Sequence, residues 1–170
     1  MSLDKNALKA AFVSLLTFDP AHSDRYTIEY MAQGWADAYD SYASGAQDAL
    51  GNTVTVVGKE LFKTALIAAF GNVDPNLTMT AVTNAINVYW AGVVLSVFSI
   101  PPGGITPIVN IVNATPGVLT FPTDNITSTD LGAQRIADSI DAKTKQVTTM
   151  FTYIHAGSPP YPDVYMSSLR

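Results

Sequence analysis

The apolar positions of this chain recur mostly at three- and four-residue steps, and that period predicts a mainly helical protein. Leu8, Phe12, Leu15 and Leu16 mark a first helix, with Asp4 placed to cap its start and Asp19-Pro20 to stop it. Ile28, Met31, Trp35, Tyr39 and Tyr42 mark a second, ending near Gly45 or Gly51. Thr53 to Val57 alternates and is rich in β-branched residues, so a short strand or extended lead-in is expected there. Lys59 to Phe70 reads as a third helix, broken by GNVDPN. From Leu77 to Ile100 the chain is at its most apolar. The stretch begins as a helix through Val82, Ile86, Tyr89 and Trp90, runs on as AGVVLSVFSI, and is stopped by Pro101-Pro102-Gly103-Gly104. The segment from Ile105 to Pro122 reads as extended and loop-like. TSTD, residues 127–130, offers N-caps for a last helix to about Gln146, after which VTTMFTYI continues the helix or turns into a strand. The proline-rich end, 157–170, is expected to be irregular and to drape over a neighbour.

One stretch is written almost twice. AQGWADAYD (Ala32 to Asp40) and AQRIADSID (Ala133 to Asp141) share five of nine residues, with Trp35 answering Ile136 and Tyr39 answering Ile140. Val82 to Asn87 fits the same frame more faintly. LKAAF (Leu8 to Phe12) and FKTALIAAF (Phe62 to Phe70) precede two of these copies, each followed by an Asp-Pro turn. The unit is thus helix, Asp-Pro loop, helix, present twice with a partial third. One helical hairpin cannot bury its apolar stripe alone, so the copies are expected to pack on one another. The fold class that follows is mainly α with short β segments: repeated helical hairpins in one small domain over 1–156, with units of about 1–51, 52–104 and 105–156.

Composition changes the picture in one respect. Only 14% of the 170 residues are charged while 48% are hydrophobic, against a usual charged share of about 25%. A surface this poor in charge favours association. The net charge of −5 and the scattered basic residues argue against a nucleic-acid partner. The absence of cysteine excludes thiolate sites, a Cys nucleophile and disulfides. The start, MSLDKNALKAAF, does not read as a secretory signal, so synthesis in the cytoplasm is expected and the sequons at Asn76, Asn113 and Asn125 carry no weight.

Candidate chemistry is thin. Asp37 with Asp40, and Asp138 with Asp141, could in principle gather a divalent cation or an acid/base dyad, but no Glu, His or EF-hand spacing completes such a set; a solvated helix face accounts for them better. His22 and His155 read as surface histidines, no nucleophile elbow occurs, and SIPPGGITP is a turn rather than a phosphate loop. No catalytic residue, metal or cofactor is expected. The uninterrupted apolar part of 88–100 falls short of the roughly 18–20 residues a membrane span requires, and it reads as core, interface or anchor. The residues expected in the core or at an interface are Trp35, Tyr39, Tyr89, Trp90, Val93, Val94, Phe98, Ile108 and Ile111.

The opening Leu8-Lys9-Ala10-Ala11-Phe12, the run from Trp35 to Asp40 with Tyr42, and Ile136 to Asp141 resemble the modules of small virion proteins of large tailed bacteriophages, of the T4-like, contractile-tail type. The likeness covers about two thirds of the chain. It implies a non-enzymatic structural subunit of the virion, a neck, tail or baseplate component. Such a subunit forms a homo-oligomer and touches other virion proteins, without nucleic acid or membrane. A capsid decoration protein is the alternative within that class. A small ligand-binding or membrane-associated module is the alternative outside it.

Overall fold

A computed structural model describes residues 3–55, 58–91, 94–96, 100–101, 103–113, 126–157 and 159–170. It is mainly helical with short β segments. Helix α1 (Lys5–Leu16) starts where Asp4 accepts hydrogen bonds from the backbone N–H groups of Asn6 and Ala7, satisfying donors the first turn leaves free. Its Leu8, Phe12 and Leu15 are buried. Burying each such side chain contributes about 1.5–3 kcal/mol. A short 3-10 helix, Pro20–Arg25, links it to α2 (Ile28–Ala43), which is capped by the Thr27 hydroxyl. α2 ends at Ala43 with Ser44 as its C-cap, beside Gly45, the first of the two glycines expected to stop it. Asp48, fully buried, then folds the chain back by accepting from the Leu50 and Asn52 backbones and the Asn52 amide, and Gly51 takes the positive φ the turn needs.

Strand β1 (Thr53–Thr55) leads into α3 (Lys59–Phe70) and α4 (Pro75–Ala91). The apolar run does not continue as helix: after Ala91 the chain returns as β2 (Val94–Ser96), paired antiparallel with β1. Strands β3 (Gly104–Asn113), β4 (Thr148–His155) and β5 (Tyr161–Ser168) form an antiparallel sheet in the order β3-β4-β5, and α5 (Thr129–Thr144) lies between β3 and β4 in sequence. VTTMFTYI is therefore strand from Thr148 onward. Within the proline-rich end, Tyr161–Ser168 is also strand, where an irregular tail is expected from the sequence. Proline withdraws an N–H from the ladder, but β5 is an edge strand, where that loss is tolerated. Beyond it, Arg170 exchanges two backbone hydrogen bonds with Gln47, and Leu169 is buried.

Helix contacts run α5–α1–α2–α3–α4, so α1 sits between α5 and α2, and α3 between α2 and α4. One cluster of buried apolar residues runs through all five helices to Val147, Tyr153 and Leu169. Among the described residues no helix is long and apolar enough to cross a membrane.

Candidate functional site

The sequence repeat becomes a repeated contact. Thr27, Asp74 and Ser128 each stand at the start of α2, α4 or α5, thirteen residues before Asp40, Asn87 and Asp141, so one frame fixes cap and acidic position alike. In α2 the Gln33 amide donates to Asp37 (2.9 Å), and in α5 the Gln134 amide donates to Asp138 (3.0 Å). Each of those carboxylates also holds the first residue of a neighbouring helix: Lys59 of α3 reaches Asp37 and Lys5 of α1 reaches Asp138, both at 2.7 Å. A second carboxylate in each helix receives a tyrosine. Tyr89 of α4 donates to Asp40 (3.0 Å) and Tyr42 of α2 donates to Asp141 (2.7 Å).

The pair α1–α2 thus docks on α5 as α3–α4 docks on α2. Gly58, which precedes α3, belongs to this contact, because any β-carbon there would run into the Tyr89 carbonyl.

The electrostatics follow from these partners. Lys5 and Gln134 hold the Asp138 carboxyl below the usual carboxylate range. Burial works against ionisation of Asp37, yet its hydrogen bonds from Lys59 and Gln33 outweigh it and its pKa is also lowered. Burial, reinforced by the carboxylate each one faces, pushes the Tyr42 and Tyr89 hydroxyls far above the ordinary tyrosine range, so both remain donors. Lys143 occupies the register position in α5 that Tyr42 and Tyr89 occupy in α2 and α4. It is almost completely buried, and desolvation brings it down to about 8.

At the centre lies Tyr39. Its ring meets those of Phe62 (5.2 Å), Tyr89 (4.9 Å) and Trp90 (6.5 Å). Its hydroxyl takes the Trp90 indole N–H (2.6 Å) and lies 3.0 Å from the Thr144 hydroxyl, joining the C-terminal ends of α4 and α5 over α2. Every polar atom of this aromatic cluster named here has a partner, as burial requires.

Trp35, Tyr39, Tyr89 and Trp90 are all buried, so the structure makes them core rather than surface. Val94 lies in β2, and Ile108 and Ile111 lie in β3, where Ile111 pairs with Met150. Val93 and Phe98 fall outside the described residues. The solvated-face reading of the aspartates holds for Asp37 and Asp138, but Asp141 is buried against Tyr42 and Lys145. Among the described residues no three His, Asp or Glu side chains gather where they could hold a metal. His22 is exposed and contacts Asp19 (2.6 Å), whereas His155 is half-buried and stacks on Tyr161 with centroids 5.0 Å apart. Lys5 and Lys59 are working residues that lie outside the sequence repeat, and Tyr42 and Tyr89 stand just past its last position. The two lysines stand three residues before Leu8 and Phe62, and the two tyrosines two residues after Asp40 and Asn87.

An apolar groove of about 320 Å³ opens between the ends of α1, α2 and α3, lined by Leu16, Tyr26, Ile28, Met31, Trp35 and Phe70. Compared with protein families, curated proteins and solved structures, the chain matches none.

Proposed function

We propose that this chain is a non-enzymatic structural subunit of a tailed-phage virion, a neck, tail or baseplate component that acts by symmetric self-assembly and by contacts to neighbouring virion proteins. The observation that carries the reading is how the repeat spends its chemistry. The residues behind the phage resemblance, Leu8 to Phe12, Trp35 to Asp40 with Tyr42, and Ile136 to Asp141, are engaged in docking one helix on another. Such a framework supplies rigidity and registered surfaces rather than turnover. The composition supports the same reading: few charges, with Phe18, Val73, Leu77 and Val164 left exposed, are what a subunit covered by neighbours requires.

Mass spectrometry of purified particles from a phage that encodes this chain tests the proposal. The chain is expected in multiple copies per particle, and its absence from the particles would overturn the reading. The groove beside Trp35 favours a second reading, a module for a small apolar ligand. An apolar dye that shifts the fluorescence of the wild-type chain, but not that of a Trp35→Phe variant, would support it.

A further inference from the structure

Helix α4 is built on the frame of α2 and α5 but lacks their charge. None of its seventeen residues is Asp, Glu, Lys or Arg, whereas α2 carries Asp37 and Asp40, and α5 carries Asp138 and Asp141, at the corresponding places. The position that meets Lys59 on α2 and Lys5 on α5 becomes Asn84 on α4, and Asn84 is exposed. Leu77, Thr80, Asn84, Asn87 and Ala91 follow one another at steps of three, four, three and four residues, the period of a two-helix seam. Leu77 is 58% exposed, Val88 beside the seam is 37% exposed, and Thr80, Asn84 and Ala91 are exposed too. Asn87, the inner member of this stripe, is half-buried within its own chain. Its Oδ1 is shielded from water and accepts no hydrogen bond, while Asp40 and Asp141 in the same frame each accept one from a tyrosine.

We infer that the outer stripe of α4 is a self-association surface, covered by α4 of a second copy packed antiparallel about a two-fold axis at Asn84. The inference rests on the self-assembling subunit proposed above and names its contact. Three features select a second copy as the occupant. The chain carries a net charge of −5, so two copies repel least where a whole helix is uncharged. An antiparallel seam centred on Asn84 sets the large Leu77 of one copy against the small Ala91 of the other, so the stripe fits itself. It also brings the two Asn84 amides together, where each can both donate and accept, and a buried amide pair of this kind fixes register. The seam from 77 to 91 is about 21 Å long, ample for a helix pair within a dimer contact.

The test uses the full chain, which has no cysteine, so one introduced thiol is unambiguous. An Asn84→Cys variant should form a disulfide-linked dimer under mild oxidation, whereas a Val73→Cys variant, with its thiol on the exposed loop before α4, should not. An Asn84→Asp variant places two carboxylates on the axis and should raise the dimer dissociation constant by about tenfold or more. It should leave the melting of the dilute protein unchanged, because Asp37 and Asp138 occupy the same place in α2 and α5. Association of the wild-type chain without self-crosslinking at position 84, or unaltered by Asn84→Asp, would put the contact elsewhere and overturn the inference while leaving the subunit reading intact. Crosslinking of the position-84 thiol only to a different polypeptide would overturn it as well. A wild-type chain that stays monomeric at every concentration removes both this surface and the self-assembly behind it. A dimer crosslinked through position 84, in a chain absent from virions, would sustain the inference without the virion.

Discussion

Helices α2 and α4 share a cap position, nearly the same buried positions and a tyrosine two residues past the frame's acidic place, yet they meet their surroundings differently. α2 is enclosed, with α1 on one side and α3 on the other, and its carboxylates are engaged by Lys59 and Tyr89. α4 has α3 on one side, and its outer stripe is uncharged and exposed. The same helical pattern serves as an interior when a neighbour is supplied within the chain and as a surface when it is not. α5, at the other end of the row, keeps its carboxylates because α1 and α2 arrive to use them, Lys5 at Asp138 and Tyr42 at Asp141. Charge on this frame therefore follows the intrachain partner.

The largest expected effect comes from cutting α4 away from α2. Trp90 is buried and donates its indole N–H to Tyr39, so Trp90→Ala should cost about 3–5 kcal/mol through the cavity and the lost hydrogen bond. Chemical denaturation read by circular dichroism measures it. Next comes the acidic position itself. Asp141→Ala removes the buried acceptor of Tyr42 and should cost about 2–3 kcal/mol. Asn87→Ala at the matching place in α4 should stay within about 0.5 kcal/mol of wild type, because that acceptor makes no hydrogen bond to lose. Equal costs at the two positions would break the comparison.

Lys143 sharpens it through pH. Its folded pKa of about 8 lies below the ordinary 10.5, so the folded state sheds this proton first. The penalty for burying the charge is complete below pH 8, and stability from this group should rise between about 8 and 10.5. Lys143→Met should raise stability at pH 7 by about 1–3 kcal/mol and flatten that slope in melts taken across the range. The smallest effects belong to the exposed pairs. Asp37→Ala and Asp138→Ala should each cost less than about 1 kcal/mol, and similar amounts, since they hold equivalent lysines near the surface. Both carboxyls are lowered from 3.8, so their contribution is present above that value and fades as the pH falls through their folded pKa values.

The helices were legible in the sequence because each carries its own signals. Asp4 and the Leu8–Phe12–Leu15 spacing place α1, and Lys59 to Phe70 is the extent found for α3. The strands were harder to read, for a physical reason. β5 is an edge strand laid on β4, so its Pro162, the two prolines just before it and its exposed positions look like a loop until the partner is present. The run after Trp90 looked continuous because hydropathy does not mark where Ala91 gives way to a strand held by β1. The repeat showed that helices would pack on one another. It did not show which residues would be buried: Tyr39 and Trp90 were equally plausible at an interface, and their shared hydrogen bond decides that they are core. The uncharged stripe of α4 was in view throughout, but its meaning depends on seeing α2 and α5 use the same positions.

Sedimentation equilibrium of the unmodified chain, from dilute to concentrated solution, tests most directly the claim that this framework is completed by further copies. The account predicts a reversible association that begins at the dimer. A single species at the monomer mass of 18.1 kDa across the whole range would contradict it.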